Sequence, residues 1–351
     1  EFRAHAMKIF GPTKAAAQLE SSKAFSKAFM HRHGIPTALY ETFTDAALAH
    51  AYIDKMGAPI VVKADGLAAG KGVVVAMTAM EAHEAIDFML LDNSLGVVHN
   101  AGADGAAVPR VVIEEFLQGE EASFIVLCDG KNVVALATSQ DHKRLLDHDE
   151  GPNTGGMGAY SPAPVVTAQV HARAMREVIM PTIKGMEKDG IPYTGFLYAG
   201  LMIDEQGQPK TLEFNCRMGD PETQPIMMRL KSDLVEVMLA ATSEKLDTVE
   251  LEWDRRVALG VVMAAAGYPM NPRKGDVITG LPKDEMDAMV FHAGTTAKEG
   301  QTHSSGGRVL CVTVLADSVK QAQHKAYEVA KGIHFDGQQY RKDIGFRAIK
   351  S

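Results

Sequence analysis

At 351 residues, with 46% hydrophobic and 23% charged side chains, the chain can bury a large core in two or three units and has an ordinary globular composition. A formal net charge of −8 argues against a nucleic-acid partner, no apolar run reaches membrane-spanning length, and no signal-peptide pattern opens the chain. Cys128, Cys216 and Cys311 lie far apart with no CxxC and no metal spacing, so they read as reduced core residues of a cytoplasmic protein.

In chain order, Met7–Phe10 reads as a short strand ending at Gly11-Pro12, and Ser21-Ser22 cap a helix running to about His33. Lys23 falls in the first turn of that helix, the wrong end for a cation; it is either a solvated lysine or a phosphate contact. A second helix covers roughly Asp45–Met56. Ile60–Ala76 (IVVKADGLAAGKGVVVA) then gives a strand, a loop with Gly66, Gly70 and Gly72 carrying Lys71, and a valine-rich second strand. Glycines there let backbone N–H groups face an anion, and Lys63 and Lys71 supply charge. Because a strand and not a helix follows, the loop is no P-loop. It is either a phosphate flap or a plain hairpin loop.

Thr78-x-x-Glu81 is a capping box for a helix through Leu91, and Val97–Pro109 reads as a loop without chemistry. Val111–Leu117 is a strand ending in Glu114 and Glu115. Adjacent strand residues face opposite sides, so these two cannot share a proton; with Glu120 and Glu121 they suit adenine and ribose binding. Hairpins follow across Asp129-Gly130 and Asp204–Gly207, separated by a long helix from Thr167 to about Lys188. Thr138–Arg144 and Gly151–Pro162 are polar, glycine-rich loops of functional character, and a helix near Asp233–Ala241 precedes a boundary around Leu246–Trp253. From Val257 on, short strands and one helix (Ser318 to about Lys331) form a compact α+β module.

Alternation along Leu212–Arg217 (LEFNCR) sends Leu212, Phe214 and Cys216 to the core and Glu213, Asn215 and Arg217 to the other face. A carboxylate and an amide oxygen two residues apart are hard ligands of the kind Mg²⁺ uses while bridging nucleotide phosphates, and the guanidinium beside them can neutralise a developing phosphate charge. The alternative is a polar strand face, weakened by the acidic, Gly/Pro-shaped loop Met218–Gln224 that follows at once. None of the 13 histidines forms a ligand cluster or a Ser/His/Asp arrangement, and His142 alone falls in a candidate site loop.

Taken together, Lys63 with ADGLAAGKG, EEFL, SQDHKR, GPNTGGMGAYSP and NCRMGDPETQP resemble the ATP-grasp carboxylate–amine ligases, over nearly the whole chain. The resemblance implies an α/β (α+β) ATP-grasp fold, two α+β subdomains gripping ATP, followed by a small C-terminal α+β domain. The division expected is 1–20 as the remnant of an N-terminal Rossmann-like domain, 21–254 as the ATP-grasp domain with a mobile flap at about 41–119, and 255–351 as the C-terminal domain. Within the family the motifs are closest to the branch that joins glycine to 5-phosphoribosylamine, giving glycinamide ribonucleotide, ADP and phosphate through a glycyl phosphate. In that reading Lys23, Lys63, Gly66, Ala69, Gly70, Lys71 and Gly72 hold the phosphates, Glu114, Glu115, Phe116 and Leu117 the adenine, and Glu121 the ribose. Glu213 and Asn215 carry Mg²⁺ or Mn²⁺. Asp141, His142, Lys143, Asn153, Thr154, Gly155, Gly156, Met157, Gly158, Gly219, Asp220 and Pro221 line the substrate pocket with Arg217, and Lys63, Asp141, Lys143 and Arg217 act in catalysis. The partners implied are small molecules acting on a cytoplasmic monomer. The rivals are another ATP-grasp ligase or carboxylase, or a fragment that binds ATP without turnover, because the chain opens EFRAHAM and most of the family's N-terminal domain is expected upstream.

Overall fold

The computed structural model describes residues 2–66, 72–93, 96–100, 107–283 and 285–350. Three antiparallel sheets carry the architecture. In the first, strands Tyr40–Phe43, Val111–Glu115, Ile60–Ala64 and Val73–Ala76 lie side by side in that order. Its alternation is clean. Ile60, Val62 and Ala64 pack under the helices Ala46–Met56 and Ala79–Ile86 with Ile53, Ala82 and Ile86, while Val61 and Lys63 face the other way. Both helices are locally encoded: the Asp45 side chain caps the first at Leu48 N, and Thr78 with Glu81 forms a complete capping box on the second.

The second sheet runs Pro209–Asn215, Thr194–Ile203, Glu120–Asp129, Val133–Ala135. One face buries Phe124, Val126, Leu197, Ala199 and Phe214 against the helices Lys23–Arg32 and Met180–Lys188. Each such side chain contributes about 1.5–3 kcal/mol on burial. The long helix expected from Thr167 is there, but residues Ala174–Ile179 form a wide π turn just ahead of Pro181, whose ring nitrogen has no N–H for a regular turn.

The third sheet orders Ala288–His292, Arg308–Ala316, Val257–Ala264, Gly158–Ser161 and Gln140–Asp141, with the helix Val319–Gly332 packed on it. The C-terminal segment is therefore not self-contained: two of its five strands come from the loops SQDHKR and GPNTGGMGAYSP, paired as Gly158 with Val261 and Ala159 with Asp141. One expected strand is missing. Met7–Phe10 pairs with nothing as a strand; Phe10 instead meets the edge of Phe196 at 5.0 Å, and Phe2–His5 is a single 3-10 turn. No helix among the described residues is long and apolar enough to cross a membrane.

Candidate active site

A cleft of about 1140 Å³ separates the first sheet from the second and runs on to the start of the third. Four polar contacts join its two walls. Lys63, on the inner face of the first sheet, donates to Leu212 O at 3.3 Å, next door to Glu213. Glu114 is buried between two lysines, 2.8 Å from Lys27 Nζ and 3.0 Å from Lys63 Nζ. Lys23 donates to Gly66 O at 2.8 Å, at the foot of the glycine-rich loop. Asp65, fully buried, accepts from Ser22 Oγ, Ala24 N and Arg110, tying the same loop to the start of helix Lys23–Arg32. Burial lowers the Lys23 ammonium, with Glu213 pulling it partly back and Lys63 repelling it; burial likewise takes Lys27 down to about 8 against the pull of Glu114. Lys23 is thus a cleft residue and not a solvated one.

On the opposite wall, Glu213 remains a carboxylate: burial pushes its pKa up, but Lys143, Lys63, Lys23 and the amide of Asn215 together outweigh it and bring it down. Asn215 Nδ2 donates to Glu213 at 3.4 Å, and Asn215 Oδ1 accepts from Arg217 at 3.2 Å, so the three form one polar row. Arg217 is also fixed by Glu20 at 3.1 Å. Glu213 and Asn215 thus offer two charged or polar oxygens to the cleft, a donor set that suits Mg²⁺ or Mn²⁺ completed by nucleotide phosphates. Among the described residues no three His, Cys, Asp or Glu side chains converge as ligands.

Leu212 departs from the expected alternation. Gly200 pairs with Glu213 but Leu201 with Thr211, so Leu212 is the extra residue of a bulge and its side chain turns into the cleft. With Val61, Phe116, Leu117 and Met202 it forms an apolar slot, which the sequence did not reveal. Glu114 and Glu115 face opposite sides and both line the cleft, their carboxylates engaged within the protein so that only their backbone is left for an adenine. Glu114 is taken up by the two lysines, and the half-exposed Glu115 accepts from Leu39 N and sits 3.7 Å from Lys210. The carboxylate of Glu121 lies against Lys143. Ala69, Gly70 and Lys71 lie outside the described residues, as does the middle of the 97–109 loop; Gly66 and Gly72, the two ends of the flap, line the cleft.

At the far end stand Asp141 and Lys143. Burial raises the Asp141 carboxyl to about 7, with Lys143 pulling it down and Glu222 and Glu121 pushing it up. Lys143 is held charged, because Glu121 and Asp141 outweigh the effect of burial. Asn153, Thr154, Gly155, Gly219 and Asp220 line this end. Five expected pocket residues do not. Met157 is fully buried in the core of the third sheet. Gly156 and Gly158 are packing positions: a Cβ on Gly156, at φ +117°, would lie 2.4 Å from Pro221, and one on Gly158 2.6 Å from Gly260 O. His142 is also fully buried, its Nε2 accepting from Gly345 N at 2.9 Å and its ring against Phe346 and Tyr160, because on the short strand at Gln140–Asp141 the residue after Asp141 turns inward. Pro221 packs on Gly156 and does not reach the cleft.

Three residues at this end lie outside the sequence reading: Arg308 and Arg347 because they are distant in the chain, and Asp149 because it falls in the turn between the two pocket loops. Arg308 donates to Gly155 O at 2.6 Å and pairs with Asp220 at 2.9 Å, stitching the two pocket loops together. Arg347 and Asp149 close the end wall, 2.6 Å apart. Burial disfavours the Asp149 carboxylate, yet the nearby His142 ring, 4.0 Å away, and hydrogen bonds from Arg341 and Arg347 hold it well below the usual range.

Comparison with known proteins places the chain in a family. The model of the phosphoribosylglycinamide synthetase ATP-grasp (A) domain matches residues 21–223, and that of the phosphoribosylglycinamide synthetase C domain matches 258–347. The phosphoribosylamine–glycine ligase of Ralstonia nicotianae is 72% identical over 99% of this chain and 81% of its own length, and that of Vibrio vulnificus 64% over 97% and 78%. The crystal structure of phosphoribosylamine–glycine ligase from Thermotoga maritima superposes with a TM-score of 0.84 at 38% identity, covering 95% of this chain and 81% of that one. The biotin carboxylase domain of a Hydrogenobacter thermophilus 2-oxoglutarate carboxylase, in complex with MgADP, reaches 0.71 at 17% identity, covering 96% and 71%, a likeness of fold alone. The chain belongs to the phosphoribosylglycinamide synthetase family of ATP-grasp ligases.

Proposed function

We propose that this cleft carries out the ATP-dependent ligation of glycine to 5-phosphoribosylamine in purine biosynthesis, and that its walls divide the work between them. The observation that carries the reading is the meeting of Lys63 with the Glu213–Asn215–Arg217 row across a cleft that continues to Asp141 and Lys143. ATP lies between the sheets. Its base occupies the apolar slot of Val61, Phe116, Leu117, Met202 and Leu212, and its phosphates run past Lys23 and Lys63 under the flap. Glu121, one oxygen of which is taken by Lys143, keeps the other for a ribose hydroxyl.

Glu213 and Asn215 hold Mg²⁺ or Mn²⁺, which when bound neutralises phosphate charge. Arg217, fixed by Glu20 and Asn215, places a guanidinium where the glycine carboxylate takes up the γ-phosphoryl group. The amine of phosphoribosylamine then attacks the carbonyl of the resulting glycyl phosphate, phosphate leaves, and the amine's surplus proton passes to Asp141, whose raised pKa suits a base near neutrality. Lys143 orients Asp141, while Arg144 and Arg347 give the end wall the positive charge that a phosphate-bearing substrate requires. Positioning and electrostatics suffice, with no covalent enzyme intermediate.

The domain reading that goes with this is an ATP-grasp unit at 21–254, its lid at about 41–119, and a C-terminal unit at 255–351 into which strands 140–141 and 158–161 are woven. A monomer in the cytoplasm, where ATP and purine precursors are supplied, completes it. A coupled ADP assay with glycine and freshly made phosphoribosylamine tests the proposal. ADP release that requires both substrates and a divalent ion supports it, and release driven equally by bicarbonate would point to a carboxylase instead.

A further inference from the structure

Outside the cleft, on the solvent side of the lid, two helices present the same short pattern to each other. His50 and Asp54 are one turn apart on Ala46–Met56; His83 lies on Ala79–Ile86, and Asp87 follows one turn later. The pairs cross. His50 Nδ1 meets His83 Nδ1 at 2.6 Å, His50 Nε2 meets Asp87 at 2.9 Å, and His83 Nε2 meets Asp54 at 3.1 Å. The rings lie 4.9 Å apart at 34°. Both histidines are about 30% exposed, so solvent reaches the pair, while the residues beneath them, Ala49, Ile53, Ala82 and Ile86, are core.

The hydrogen count constrains what this arrangement can hold. Each outer nitrogen faces a carboxylate oxygen, which only accepts, so both outer nitrogens carry N–H. The two inner nitrogens then face each other with two lone pairs and a single bridging proton between them. A ring whose outer N–H is fixed on a carboxylate, with its inner lone pair aimed at a shared point, is the tautomer and support that a metal-ligating imidazole uses. Two imidazole nitrogens favour zinc, nickel or copper over magnesium. Two Zn–N bonds at a tetrahedral angle would separate the nitrogens by about 3.3 Å, so side-chain rotation of well under 1 Å admits the ion.

We propose that His50 and His83 form a two-histidine site for a borderline divalent metal ion, of which Zn²⁺ is the probe, completed by water and supported by Asp54 and Asp87. The ion takes the place of the bridging proton, which leaves to solvent as both Nδ1–metal bonds form; no electron moves. The consequence is a cross-link between the two lid helices, remote from the nucleotide cleft and chemically distinct from the oxygen ligands there.

Calorimetric titration of the full chain with ZnCl₂ in excess MgCl₂ tests this. Expected is one Zn²⁺ per chain that disappears in His50→Gln and in His83→Gln, with Asp54→Asn and Asp87→Asn weakening it about 10- to 100-fold. ADP formation in MgCl₂ alone is expected to be unchanged in all four variants, which also reports that they fold. Zn²⁺ should raise Tm in the parent chain and leave both His variants unmoved. No zinc uptake by the parent chain, equal stoichiometry in parent and both His variants, or an equal zinc-induced rise in Tm in all of them overturns the proposal.

Discussion

The two junctions of the molecule are made differently. Between lid and base the bridging contacts are polar: Lys27 on Glu114, Lys63 on Leu212 O, Lys23 on Gly66 O, Ser22 and Ala24 N on Asp65. The lid keeps its own apolar core, closed by its own two helices. Between base and C-terminal unit the junction is a shared sheet, with Gly158–Ser161 hydrogen-bonded into it and Met157 and Tyr160 inside its core. Polar contacts can be exchanged for water or phosphate at small net cost, whereas a sheet with a common core opens only by unfolding. In the proposed reading, this contrast lets the phosphate end of the cleft move while the amine end stays fixed.

Five substitutions probe that contrast, in decreasing order of expected effect. Glu213→Ala should cut divalent-ion-dependent ADP formation by about 10³-fold with the fold intact by circular dichroism; undiminished turnover would remove the metal assignment. Glu114→Ala strands Lys27 and Lys63 without their carboxylate and should cost about 3 kcal/mol in urea unfolding. A loss near zero would mean the polar junction contributes nothing to docking the lid. Asp141→Asn should lower kcat about 10²-fold. It should also abolish the dependence that the parent shows: activity rising as pH passes upward through about 7, where Asp141 loses its proton. The stability effect has the opposite sign. The folded carboxyl keeps a proton that the unfolded chain releases near pH 4, so Asp141 makes the chain less stable as pH rises from about 4 to 7, and Asn removes that slope. Gly156→Ala forces a Cβ onto Pro221 at a positive φ and should cost about 2 kcal/mol, with KM for glycine raised and ATP affinity untouched. Arg308→Ala frees the loops at Gly155 and Asp220 and should raise the amine-substrate KM about tenfold, about 1.4 kcal/mol. Weakened ATP binding in either of these last two would show that the fixed end is not independent of the moving one.

Much of this was legible because it is local. Caps at Ser22, Asp45, Thr78 and Asp233, the hairpins, and the row Glu213, Asn215, Arg217 follow from spacing alone. What failed depends on pairing or on distance. A bulge opposite Gly200 and Leu201 swings Leu212 into the cleft, and no strand periodicity announces it. The partner of the Glu114 carboxylate, Lys27, lies far earlier in the chain and no local pattern points to it. His142 and Met157 share their loops with pocket residues, yet turn inward because those loops are also strands of a sheet completed late in the sequence. Arg308 belongs to the pocket only through the third dimension.

That woven sheet also sets a timetable. Gly158–Ser161 finds its partner strand only when residues 258–261 exist, about a hundred residues further on. On the ribosome the nucleotide-gripping walls have everything they need well before the amine pocket does, so the nascent chain passes through a stage in which SQDHKR and GPNTGGMGAYSP have only each other to pair with and one edge of Gly158–Ser161 stands open. Translation stopped short of Val257 should leave a product that grips ATP and has nowhere to deliver its phosphoryl group.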